Sequence, residues 1–132
     1  MNSRILVVDD NPTNLKLAVS LLEFEGHLVS QARNAEEALR MIQESMPTLI
    51  LMDIQMPGLD GLSLTRQLRQ NPATRDICIV AITSFAMKGD DQKARESGCD
   101  GYITKPIDTR TFPAQVAQFL HGRPSQPQSP SL

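Results

Sequence analysis

The sequence predicts an α/β fold, a parallel sheet with helices packed against it, on three observations. Short runs rich in Val and Ile alternate with longer stretches of helical period, and five such units are counted along the chain, as in successive βα units. The three central runs are nearly continuous in apolar residues, as strands covered on both faces must be. The 132 residues, 40% hydrophobic and 21% charged, suit one soluble domain with a core of its own.

The first strand is expected over Arg4–Val8. Asn11-Pro12 then supplies a capping residue followed by proline at the first helical position, and Gly26 suits the left-handed close of that helix. The second strand is expected over His27–Gln31. Asn34 with Glu37 three residues on forms a capping-box pattern for a second helix, which sets Ala38, Leu39 and Ile42 on one face and stops at Met46-Pro47. A third strand is expected over Thr48–Met52, and Leu62, Leu64 and Leu68 predict a third helix ending at Asn71-Pro72. A fourth strand follows over Ile77–Ile82, a weakly apolar fourth helix over Asp90 to Gly98, and a short fifth strand over Gly101–Ile103. The last helix carries Val116, Phe119 and Leu120 at helical spacing. Its start has two readings, because Pro113 removes an early backbone donor: Asp108 caps an irregular first turn, or Thr111 is the cap.

Bulk properties narrow the function. A net charge of −2 gives no basic field to attract nucleic acid or an anionic membrane. Cys78 and Cys99 lack metal-site spacing and imply a reducing compartment. The N-terminal stretch Ile5-Leu6-Val7-Val8 ends in two acids and is too short for a secretory or membrane-spanning segment, so a cytoplasmic location is expected. Residues 1–121 read as the folded domain. Residues 122–132, dominated by Pro, Ser and Gln, read as a disordered tail or linker.

In an open α/β sheet all parallel strands end on one edge, where sites form. Strand one ends in Asp9-Asp10, strand three in Asp53, strand four in Thr83-Ser84, and Lys105-Pro106 follows strand five; strand two ends uncharged in Gln31-Ala32, as an edge strand outside the site would. Carboxylates a few ångströms apart repel by about 1 kcal/mol per pair in water-like dielectric and about 4 at an effective value of 20, so a cation must offset them. A hard, water-retaining ion such as Mg²⁺ suits such oxygen ligands. A carboxylate held there can attack a phosphoryl donor to form an acyl phosphate, with Lys105 as counter-charge and the Thr83 hydroxyl as donor.

Four segments carry a resemblance: Val7-Val8-Asp9-Asp10-Asn11, Leu51 through Gly61, Ala81-Ile82-Thr83-Ser84, and Tyr102-Ile103-Thr104-Lys105-Pro106. In order and spacing they resemble the CheY-like response-regulator receiver domains, over residues 4–120. The resemblance implies a doubly wound, flavodoxin-like sheet of order 2-1-3-4-5. It implies Asp53 as phosphoacceptor, and a Mg²⁺ shell of Asp9, Asp10, Asp53 and the backbone carbonyl of Gln55. It implies Thr83 and Tyr102 as a switch pair, the ring turning inward as the hydroxyl moves to the phosphoryl group, and a cis Lys105-Pro106 peptide. The run Ala86 to Asp90 and Cys99-Asp100-Gly101 are similar to hybrid sensor-kinase receivers and to single-domain regulators of the DivK type. The implied partners are a histidine kinase or histidine phosphotransfer protein, met through helix one, and a downstream protein met through the face of helix four, strand five and helix five.

Bland readings stand beside these. Asp9 suits a helix cap, Tyr102 a core aromatic, Asp60 and Gly61 a turn, the six Met residues core filler. His27 and His121 receive no role. Bulky Phe85, two positions beyond Thr83, is expected to shield the phosphoryl group from water. A phosphohydrolase of the haloacid-dehalogenase type needs a second acid two residues after its nucleophile, where Gln55 stands. A nucleotide or flavin binder would want a glycine-rich loop where Asn11-Pro12-Thr13 stands. A signalling module rather than an enzyme is therefore expected, working in a two-component phosphorelay, either alone or as part of a larger protein.

Overall fold

In the computed structural model, residues 3–53, 61–83, 98–104 and 107–121 are described. Five parallel strands form one sheet in the order β2-β1-β3-β4-β5: β1 (Arg4–Val8), β2 (Leu28–Ala32), β3 (Leu49–Asp53), β4 (Cys78–Thr83) and β5 (Gly101–Thr104). The helices are α1 (Pro12–Phe24), α2 (Ala35–Glu44), α3 (Gly61–Gln70) and, C-terminal, α4 (Phe112–His121). The parallel sheet and its order match the expectation, with strand limits shifted by about a residue. The helix expected over 90–98 lies outside the described residues apart from its last position, Gly98.

Local signals explain where the elements begin and end. The Asn11 side chain accepts hydrogen bonds from the N–H groups of Thr13 (2.9 Å) and Asn14 (3.2 Å), satisfying donors that a helix start leaves open. At the far end of α1, His27 N–H donates to Leu22 C=O and Gly26 N–H to Glu23 C=O, with Gly26 at φ 92°. That paired arrangement needs a left-handed residue, which only glycine adopts without penalty. The capping box of α2 is present in altered form: Asn34 accepts from Glu37 N–H at 2.8 Å, but the Glu37 carboxylate returns to Arg33 N–H, one residue before the cap. In α4, both expected starts contribute. The Asp108 carboxylate accepts from Arg110 N–H, its carbonyl from Phe112 N–H, and Thr111 C=O receives the bond from Gln115 N–H. Pro113 is thus the second helical residue, where a missing donor costs no intrahelical bond.

Strand alternation divides the core. Leu6, Val8, Ile50, Met52, Ile79 and Ala81 face α2 and α3, against Ala38, Ile42, Leu64 and Leu68. Ile5, Val7, Leu49, Leu51, Val80 and Ile82 face α1 and α4, against Leu15, Ala18, Leu22, Phe112 and Val116. All five residues of β3 are buried, which is why that strand reads as an unbroken apolar run ending in one acid.

At the outer edge, β5 packs closely beneath α4. A methyl group added at Gly101 would lie 2.3 Å from Phe119 Cε1 and 2.7 Å from its Cζ. Gly101→Ala is therefore expected to destabilise the fold by about 1–3 kcal/mol through overpacking. Pairing it with Phe119→Leu should recover most of that loss in a denaturant-melt double-mutant cycle; strictly additive effects would show that the ring is not what the methyl meets.

Candidate functional site

The site lies on the edge where the strands end. Val8 is in register with Met52, and Asp53 with Ile82, so the residue after β1, the last of β3 and the last of β4 share one rim. Because Ile5, Val7, Leu49 and Leu51 all face α1 and α4, period two carries Asp9 and Asp53 to that same side. Both are almost wholly buried, each 2% exposed, while Asp10 is exposed. One carboxylate oxygen from each of Asp9, Asp10 and Asp53 lies within 4.8 Å of the others.

The rim is held by the start of α1. Asp9 N–H donates to Ala32 C=O at 3.0 Å, and the Asp9 carboxylate accepts from Asn11 N–H at 2.9 Å. Asp9 thus closes a local turn onto Asn11 while standing in the acidic cluster, but it does not cap α1. The actual N-cap is Asn11.

Three hard oxygen donors, two taken from water, are a poor arrangement without a counter-charge and a good one with a divalent cation. The donor set fits Mg²⁺: a few carboxylates gathered on one side leave further coordination positions for water and for a phosphoryl oxygen. Nitrogen and sulfur ligands favoured by zinc are absent from this cluster.

Thr83 occupies the last position of β4, in register with Thr104. Tyr102 pairs with Ala81, two residues earlier on β4, and stands 37% exposed. That places it at the surface and disfavours the reading as a core aromatic. Gln55, Phe85, Lys105 and Pro106 lie outside the described residues. His27, for which no role is expected, has its Nδ1 buried without a hydrogen-bond partner among the described residues, and burial lowers its pKa.

Both cysteines are buried and reduced. Burial pushes the Cys99 thiol up to about 11 from an ordinary 9.0. In the unfolded chain this group ionises from about pH 9, whereas in the fold it keeps its proton to about pH 11. Its contribution to stability is complete below the lower value and declines as pH rises between the two. Cys99→Ala should flatten the fall of the urea midpoint over that window, and an equally steep fall in the variant would remove burial of this thiol as the cause.

One network escaped the sequence reading. Arg69, on α3, reaches the carbonyls of Gly98, Arg75 and Ile77 and the carboxylate of Asp100. Residues 31 apart, each unremarkable in a helix turn or a loop, leave no periodic trace to find.

The comparisons with known proteins agree with this geometry. The family described as the response regulator receiver domain matches residues 5–117. The polar-differentiation response regulator DivK of Brucella anthropi is 41% identical over 120 residues, covering 91% of this chain and 98% of the relative. Among solved structures, the signal receiver domain of a signal transduction histidine kinase from Syntrophus aciditrophicus superposes with TM-score 0.82 at 32% identity, covering 98% of each chain. A CheY-like response regulator receiver domain protein from Methanospirillum hungatei reaches TM-score 0.84 at 28% identity, covering 96% of this chain and 99% of that one. A parallel sheet in the order 2-1-3-4-5, an acidic cluster at its carboxyl rim and a family match spanning most of the residues lead to one conclusion: this chain belongs to the response regulator receiver domain family.

Proposed function

We propose that the chain is a phosphorylation switch that takes a phosphoryl group from a phosphohistidine onto Asp53 and signals through protein partners. The observation that carries this reading is the gathering of Asp9, Asp10 and Asp53 within 4.8 Å at the strand ends, with Asp53 buried as the last residue of β3. An Asp53 oxygen attacks phosphorus and the bond from phosphorus to the donor's imidazole nitrogen breaks. That nitrogen keeps the electron pair and the product is an aspartyl phosphate. Asp9, Asp10 and Asp53, with the Gln55 carbonyl, would hold Mg²⁺, which supplies positive charge against the phosphoryl oxygens. Lys105 adds a second positive charge and Thr83 a hydroxyl donor.

The new group brings about −1.5 to −2 charge and strong acceptor oxygens, enough to draw Thr83 toward it and to bias Tyr102 between outward and inward positions. The exposed ring in this structure suits the outward, unphosphorylated position. Donor docking at α1 is supported by an open depression of about 590 Å³ along Pro12, Thr13, Lys16, Leu17 and Ser20, next to the site. The donor is a histidine kinase or histidine phosphotransfer protein, and the output is a downstream protein met through β5, α4 and the segment between β4 and β5. The role is stoichiometric rather than that of a turnover enzyme, and it belongs in the cytoplasm. Among the described residues no helix is long and apolar enough to cross a membrane.

The test is direct. Incubation with Mg²⁺ and acetyl phosphate should add one phosphoryl group, mapped by peptide mass spectrometry to Asp53 and removed by hydroxylamine. No adduct, or an adduct elsewhere, overturns the proposal. Sustained turnover of small phosphate esters would move the chain to the hydrolases.

A further inference from the structure

β5 has four residues and a single neighbour, β4, at the edge of the sheet. So short an edge strand has little backbone pairing to fix its register, and a slip of one residue turns every side chain to the opposite face. Here such a slip would exchange surface Tyr102 with buried Ile103 and would move Thr104, the last residue of β5, out of its register with Thr83. The structure contains a device at the entrance of β5 that opposes this. Asp100 N–H donates to Ile79 C=O at 2.7 Å, and the Asp100 carboxylate accepts from Ile79 N–H at 2.8 Å. That residue is thereby latched to β4 before ladder pairing begins at Gly101. The same Oδ2 receives Arg69 Nη2 at 2.9 Å.

Arg69 completes the latch from the other side. Its Nε donates to Gly98 C=O at 2.8 Å, and its Nη1 to the carbonyls of Arg75 and Ile77, each at 2.6 Å. One planar guanidinium thus ties α3, the approach to β4 and the approach to β5 together. Gly98 is shaped around it: at φ 110° it takes a conformation disfavoured for other residues, and a methyl there would lie 2.6 Å from Arg69 Cγ. Arg69 and Asp100 are both about one-fifth exposed in their side chains, so water competes only partly for these bonds. A lysine has one nitrogen with three donors and cannot serve four acceptors spread around a fork.

We propose that Arg69 and Asp100 are positioning residues for phosphoryl transfer, setting the register of β5 and through it the placement of Tyr102 and Thr104 relative to β4 and the rim that carries Asp53. The inference rests on the phosphoacceptor reading above. The acidic cluster itself stands at the carboxyl ends of β1 and β3, away from the latch, so metal binding and register are separable.

The experiment compares wild type with Arg69→Lys and Asp100→Asn in three measurements. These are the rate of Asp53 labelling at saturating acetyl phosphate, Mg²⁺ affinity by calorimetry, and cross-strand β4–β5 contacts by NMR. Arg69→Lys is expected to slow labelling about ten- to a hundredfold, the scale of a misplaced catalytic group. Mg²⁺ affinity should stay unchanged, while the contacts pairing Val80 with Gly101 and Ile82 with Ile103 weaken or shift. Asp100→Asn keeps an oxygen for Ile79 N–H and should fall between; it decides the matter if Arg69→Lys does not fold. Wild-type labelling rates with intact β5 contacts overturn the proposal, as does a loss of Mg²⁺ affinity in step with rate, which marks general loosening. Should wild type itself take no phosphoryl group, the phosphoacceptor reading fails, and the NMR contacts alone then decide whether the latch sets register.

Discussion

Asp53→Asn is expected to take up no phosphoryl group from acetyl phosphate and, in chelator, to unfold at a higher denaturant concentration than wild type. Both outcomes follow from one feature, three carboxylates within 4.8 Å with two of them 2% exposed. The amide cannot act as the nucleophile, so labelling at this position should be lost outright rather than reduced. The same change removes one member of a repulsive cluster. Unit charges about 4 Å apart interact by roughly 4 kcal/mol at an effective dielectric of 20. After allowance for lost attractive partners of Asp53, a net gain of about 1–2 kcal/mol is expected at low ionic strength. Mg²⁺ should reverse the order near saturation, because an ion at a hundred times its dissociation constant stabilises its binder by about 2.7 kcal/mol and the variant has lost a ligand. Equilibrium urea melts with and without Mg²⁺ measure this. A variant less stable than wild type in chelator would mean that attraction, not repulsion, dominates around residue 53.

The second large effect lies in the core. Phe112→Ala is expected to cost about 3–5 kcal/mol, a large share of the roughly 5–15 typical of a whole domain. Phe112 is fully buried against the strand face formed by Ile5, Val7, Leu51 and Val80. It is also the first residue of α4, fastened by its N–H to Asp108 C=O at 2.8 Å, so neighbouring backbone cannot readily collapse into the void. Thermal unfolding should drop by roughly 10–20 °C, with Phe112→Leu showing a much smaller loss. A drop of only a degree or two would show that the α4 layer contributes little.

Much of this was legible in the residue order because the signals were local. Asn11-Pro12, Asn34 with Glu37 and Gly26 each act within a turn of themselves, and each stands at a helix boundary in the structure. The unbroken run from Leu49 to Met52 announced a strand buried on both sides, and its terminal acid announced the site. Three of the acids expected to meet do meet, because parallel topology alone delivers strand ends to one edge. Where the reading was coarser, a choice between near-equal partners decided. Glu37 chose the Arg33 amide over that of its cap, a difference of one residue that no pattern encodes. Asp108 and Thr111 share the start of α4 rather than excluding each other. The Arg69 network was invisible for a different reason: three of its acceptors are backbone carbonyls, which every residue type carries alike.

The division of side chains by alternation has a consequence for how a local event spreads. Along the body of the sheet, Ile50 and Leu51 are adjacent in the chain yet belong to separate apolar layers, so repacking one layer leaves the other largely insulated. At the carboxyl tips the separation ends, since Asp9 and Asp53 point to one layer while Tyr102, flanked by Gly101 under Phe119 and by Ile103, stands on the other side. The tips are therefore the natural junction between two otherwise independent compartments, and a charge added there is felt by both at once.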